Sequence, residues 1–131
     1  MVPRAAATHS RPTILIESKS PAVPLVVAEL KYCGFSTHDV ITYSAKAAQH
    51  KSIYPYLRYG FIIVGSVGLG RRFFTHNRSF DFALALPQLA THEDEIVDLF
   101  RRQIASAECI RALMQTERAR FARYEQSIAV G

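Results

Sequence analysis

The sequence has no tryptophan and only two cysteines, Cys33 and Cys109. Two thiols are too few for a disulfide framework, and neither sits in a CxxC or a Cys/His cluster with zinc spacing, so both read as reduced side chains. Five histidines are scattered without an HxH or HxxxH spacing, which removes a zinc site of the usual kinds. Long apolar runs are missing as well. The longest, "FIIVG", falls far short of the roughly 20 residues that cross a bilayer, and "MVPRAAATHSRP" lacks the apolar centre of a secretory signal. These absences predict a soluble, intracellular protein with no membrane partner. There is no internal repeat and no low-complexity tract.

What is present is enough for one domain. A chain of 131 residues with 49% apolar residues can bury a single core and is too short for two. The net charge of +5 is unevenly placed. Residues 1–91 hold ten basic and four acidic side chains, and residues 92–131 hold six and seven, so the whole excess lies in the first part. A basic body with a balanced tail fits a polyanionic partner.

Residues 1–11 are small, polar and prolyl and are expected to form a disordered arm. Residues 12–90 are expected to form the α/β core and residues 91–131 a long C-terminal helix. "TILIES" and "PLVVAELKY" read as a hairpin punctuated by Pro21 and Pro24. A helix with Thr37 as N-cap and Asp39 in its first turn should end at Pro55. The strand "YGFIIVGS" follows, covered on both faces, and the helix before it is the crossover that a parallel neighbour requires. "RRFFTH" and "FDFALAL" around "NRS" predict a second hairpin. "GSVGLG" lacks the lysine-serine ending of a phosphate loop and reads as a turn. From Thr91 onward, Phe100, Ala107, Met114, Phe121 and Ile128 recur every seven residues. A helix of that length would extend roughly 55 Å, so it must bend or pack on a second chain, and a homodimer is one way to do so.

"VVAELKYCGF" places Glu29 and Lys31 two apart on a strand, hence on one face. Two opposite charges inside an apolar stretch need either each other or a cation and a phosphate. Phosphodiester hydrolysis uses such a set: a carboxylate to hold Mg²⁺ and a lysine to orient the attacking water and offset developing charge. Here the sequence resembles the PD-(D/E)xK nuclease superfamily, through "RPTILIE", a short turn, "PLVVAELKY", the helix "ITYSAKAAQHKSIY" and the strand "FIIVG". The resemblance covers residues 12–66. It implies a restriction-endonuclease-like mixed sheet flanked by helices, with Glu29 as metal ligand and Lys31 as water-orienting cation.

Two departures change what the resemblance implies. Where the family reads Pro-Asp, this chain reads Pro12-Thr13. Antiparallel partners sum to a constant, so a turn centred on Pro21 pairs Thr13 with Glu29 and puts a hydroxyl where a second carboxylate belongs. Glu17 is on the same face but about 13 Å further along the strand. The family usually places a helix and a strand before the hairpin, where eleven small, polar residues are read here as an arm, so the resemblance is to a shortened or degenerate member. A single carboxylate holds Mg²⁺ weakly. The expectation is therefore a domain that binds DNA or RNA while its metal-dependent hydrolysis is impaired or lost. Lys46, Gln49 and Lys51 on the first helix, and Arg71, Arg72 and Arg78 near the second hairpin, are the candidate phosphate contacts. The alternative is a non-catalytic assembly module acting through its C-terminal helix.

Overall fold

The computed structural model describes residues 2–8, 11–66, 68–116, 120 and 122–125. Five strands and three helices follow in the order β1 (Val2–Thr8), β2 (Arg11–Glu17), β3 (Pro24–Tyr32), α1 (Thr37–Ile53), β4 (Arg58–Val64), α2 (Gly70–His76), β5 (Phe82–Leu86) and α3 (Glu93–Met114). The strands form one sheet in the order β1-β2-β3-β4-β5. The first three are antiparallel, and β4 and β5 run parallel to β3. The molecule is α/β, a mixed sheet flanked by helices with a long C-terminal helix, as its alternation of strand and helix patterns predicts.

Each face of the sheet has its own core. Val26, Ala28 and Leu30 of β3 pack with Ile62 and Val64 of β4 against Leu99, Phe100, Ile104 and Ala107 of α3. The alternate residue Val27 packs with Tyr59, Phe61 and Ile63 against Val40, Tyr43 and Ala47 of α1 and Phe73 of α2. The period of two along β3 thus sends Glu29 and Lys31 to the α1–α2 side. β4 is buried along nearly its whole length, as a strand covered on both faces requires.

Four expectations are corrected. The first is the N-terminal arm: Val2–Thr8 pairs antiparallel with β2 in place of a disordered segment, since backbone hydrogen bonding to an open strand edge needs no apolar side chains. The second hairpin is a helix followed by a strand, because β5 runs parallel to β4 and can be reached only by a crossover, which α2 supplies. The α1 N-cap is Ser36, one residue earlier than expected; its hydroxyl accepts from the Asp39 N–H while the Asp39 carboxylate accepts from the Ser36 N–H. The last helix starts after His92 and ends at Met114, and residues 115, 116, 120 and 122–125 are outside any helix. Phe121 and Ile128 of the heptad stripe lie outside the described residues. Within α3 the stripe is split: Phe100 and Ala107 belong to the domain's own core, and Met114 is exposed. Among the described residues no helix is long and apolar enough to cross a membrane.

Candidate functional site

Thr13 is the direct cross-strand partner of Glu29, the register read from the turn at Pro21. Its hydroxyl donates to Glu29 Oε2 at 3.0 Å. The other oxygen, Oε1, accepts from Lys46 Nζ of α1 at 3.1 Å and from the Tyr59 hydroxyl of β4. Glu29 is only 2% exposed. The carboxylate is therefore enclosed between α1 and the sheet, with a donor on each oxygen and one ammonium as its ionic partner. A buried carboxylate needs this much compensation to remain folded-state compatible.

Lys31 does not complete the same cluster. Its Nζ lies 3.7 Å from Asp39 Oδ2, the carboxylate that also closes the α1 capping box. The pair anticipated from "ELK" is thus divided, with Glu29 matched to Lys46 and Lys31 matched to Asp39. Lys51 is drawn into a third ionic cluster, at 2.5 Å from Asp81 Oδ1, where Arg58 also approaches to 3.4 Å. The remaining oxygen of Asp81 accepts from the Tyr59 backbone N–H at 2.8 Å, so Asp81 acts as a backbone cap. Lys51 was expected on the groove and is instead committed to this cluster.

The other candidates face outward. Gln49 is exposed on α1, and next to it the His50 ring stacks on Tyr59 with centroids 5.7 Å apart. Arg71 and Arg72 line a depression of about 440 Å³ with Leu69, Gly70 and Thr75, and one Arg72 nitrogen donates to the Phe35 carbonyl. Arg78 borders a second depression of about 240 Å³ along α1, lined by Ile41, Ser44, Ala45, Ala48, His76 and Ser79. Its position is fixed by Ser44, whose hydroxyl oxygen accepts the backbone N–H groups of both Arg78 and Ser79 at 2.8 Å. Among the described residues none of these three arginines pairs with a carboxylate. "GSVGLG" leads into α2 and brings no lysine to that turn.

The residues around Glu29 do not fit a magnesium ion. Both carboxylate oxygens already accept protein donors, the facing residue is a hydroxyl, and no group of three His, Cys, Asp or Glu side chains occurs among the described residues. Magnesium keeps several of its waters and so needs an open, oxygen-rich face, which a carboxylate enclosed by Lys46 and Tyr59 does not offer. Compared with known proteins, the chain matches no family model, no curated protein and no solved structure.

Sequence reasoning missed Tyr59 and the inward role of Lys46. Tyr59 sits on the α1 side of β4, two residues before Phe61, which is paired with Glu29. Burial, and then the hydrogen bond and charge of Glu29, raise its phenol above the ordinary value of 10.0. A folded-state value raised this way supplies stability that is complete below about pH 10 and is lost above it, where only the unfolded chain gives up the proton. Wild type should therefore lose about 1.4 kcal/mol more than Tyr59→Phe between pH 9 and pH 11. Urea midpoints at the two pH values check this, and equal losses in both proteins would mean that the phenol is not held by Glu29.

Proposed function

We propose that the protein is a nucleic-acid-binding domain similar to the PD-(D/E)xK nucleases, in which metal-dependent phosphodiester hydrolysis is lost. Binding would use the α1–α2 layer and its exposed arginines, and would read the phosphate backbone. The observation that carries this reading is a group of exposed arginines on one side of the sheet. Arg71, Arg72 and Arg78 are exposed on the α1–α2 side, and the acids Glu93, Asp94 and Glu95 cluster at the start of α3 on the other. A polyanion approaching the first face meets three guanidinium groups that, among the described residues, pair with no carboxylate, and the forked donors of arginine suit phosphate oxygens.

The loss of hydrolysis is supported by the pairing of Thr13 with Glu29. In the nuclease pattern that position carries a second metal-binding acid. Here it carries a hydroxyl that donates to the Glu29 carboxylate. Residues 12–66 supply the matching order of hairpin, helix and parallel strand.

Binding to a labelled DNA duplex, with an RNA duplex and single strands alongside, tests the proposal. Affinity should fall linearly on a log–log plot against salt. Arg71→Ala, Arg72→Ala and Arg78→Ala should each lower the slope by about one while leaving base preference unchanged. No binding at low salt would remove the nucleic-acid reading and favour an assembly module acting through α3, with the homodimer read by sizing of the same sample.

A further inference from the structure

A carboxylate that is 2% exposed needs one compensating positive charge, and the structure supplies it from within the chain. Lys46 lies three residues after Tyr43 and beside Ala47, both of which face the sheet, so the turn of α1 brings its stem over β3 and its Nζ to 3.1 Å from Glu29 Oε1. We propose that the Lys46 ammonium stands where a nuclease of this type would hold its divalent cation, so that the Glu29 site is closed to metal and nucleic-acid binding needs none.

Charge balance supports the exchange. Two facing acids match a doubly charged ion, whereas one acid facing a hydroxyl matches a single ammonium. Thr13 and Lys46 are then two halves of one change: the hydroxyl removes a negative charge, and the lysine replaces two positive charges with one. Oε2 is held by Thr13 and Oε1 by Lys46 and Tyr59, so an entering ion would meet a hydroxyl on one oxygen and an ammonium and a phenol on the other, with the ammonium repelling it. The comparison with a nuclease cation rests on the proposed function, while the ion pair stands without it.

The test is a Mn²⁺ titration of the full chain, with free Mn²⁺ followed by electron paramagnetic resonance. Wild type and Glu29→Gln should give the same signal, and the double variant Thr13→Asp/Lys46→Ala should bind Mn²⁺ at least about tenfold more tightly than wild type. A saturable wild-type site that disappears in Glu29→Gln overturns the proposal, and so does a folded double variant with no gain. Because two substitutions around a buried carboxylate can prevent folding, wild type is also read directly through the ¹³C carboxyl resonance of Glu29, assigned by its absence from Glu29→Gln. No movement of that resonance under Mg²⁺ supports a closed site, and a saturable shift overturns it. Duplex binding measured with a chelator and with Mg²⁺ keeps the two readings separate: no binding in either defeats the proposed function alone, and binding that requires Mg²⁺ defeats the closed site alone.

Discussion

Replacing Lys46 with methionine should lower folding stability by about 2–3 kcal/mol. The substitution keeps the length of the stem and removes the ammonium, leaving the Glu29 carboxylate with only the Thr13 and Tyr59 hydroxyls. Breaking a fully buried ion pair costs about 3–5 kcal/mol, because a desolvated charge is left without its partner. The lower figure reflects the Lys46 side chain, which is 42% exposed and so partly screened by water, and the two donors that remain. Adding Glu29→Gln to Lys46→Met should recover much of the loss, since the stranded charge is then removed. The double-mutant cycle in urea isolates the coupling between the two residues. A Lys46→Met protein within about 0.5 kcal/mol of wild type would mean that Glu29 does not depend on Lys46.

Among the described residues, that coupling is one of three ionic links that seat α1 on the sheet. Asp39 in its first turn meets Lys31 of β3, Lys46 in its second half meets Glu29 of β3, and Lys51 in its last turn meets Asp81 just before β5. The helix touches the sheet mainly through Val40, Tyr43 and Ala47, a narrow apolar stripe that leaves some freedom to slide or roll. Directional charges at both ends and in the middle restrict that freedom. What looked in the sequence like a charged helix face is in part a set of fasteners. On the α1–α2 side the exposed arginines are consequently Arg71 and Arg72 on α2 and Arg78 in the turn after it.

The local patterns that were legible share a physical basis. The pairing of Thr13 with Glu29 followed from a turn position and the geometry of antiparallel strands, and needed no knowledge of side-chain environment. The burial of β4 followed from its unbroken apolar run. β1 was not legible, because a strand edge is extended through backbone groups that every residue carries, and "VPRAAAT" has no alternation to announce it. α2 was hidden by Phe73, Phe74 and Thr75, residues with a strand preference that the crossover to a parallel β5 overrides. Within the site, the acid and its cross-strand partner could be read from one hairpin, but the partners that close it come from elsewhere. Lys46 is 17 residues from Glu29 along the chain and Tyr59 is 30. Single-sequence periodicity places each on a face and does not say which charge it will meet.

Substituting Gly60 with alanine should destabilise the fold by about 3 kcal/mol, equivalent to a fall of about 10 °C in Tm. Gly60 lies in the middle of β4, opposite Ala28 of β3 and Phe82 of β5. The Phe82 ring covers its α-carbon so closely that a methyl group there would fall 2.1 Å from the nearest ring carbon. The ring cannot simply swing aside, because it is buried and makes an edge contact with Phe100 of α3, at 6.3 Å between centroids. Either β5 moves away from β4 or α3 lifts from the sheet, and both loosen the core that Phe82 shares with Ala28, Ile62 and Leu99. Gly68→Ala is the matched control, since nothing lies within 4 Å of the methyl group it would add. Thermal unfolding of the two variants should show a large loss for Gly60→Ala and almost none for Gly68→Ala. Equal stability would mean that Phe82 does not pack on β4 as described, and with it the parallel register of β5 would fail.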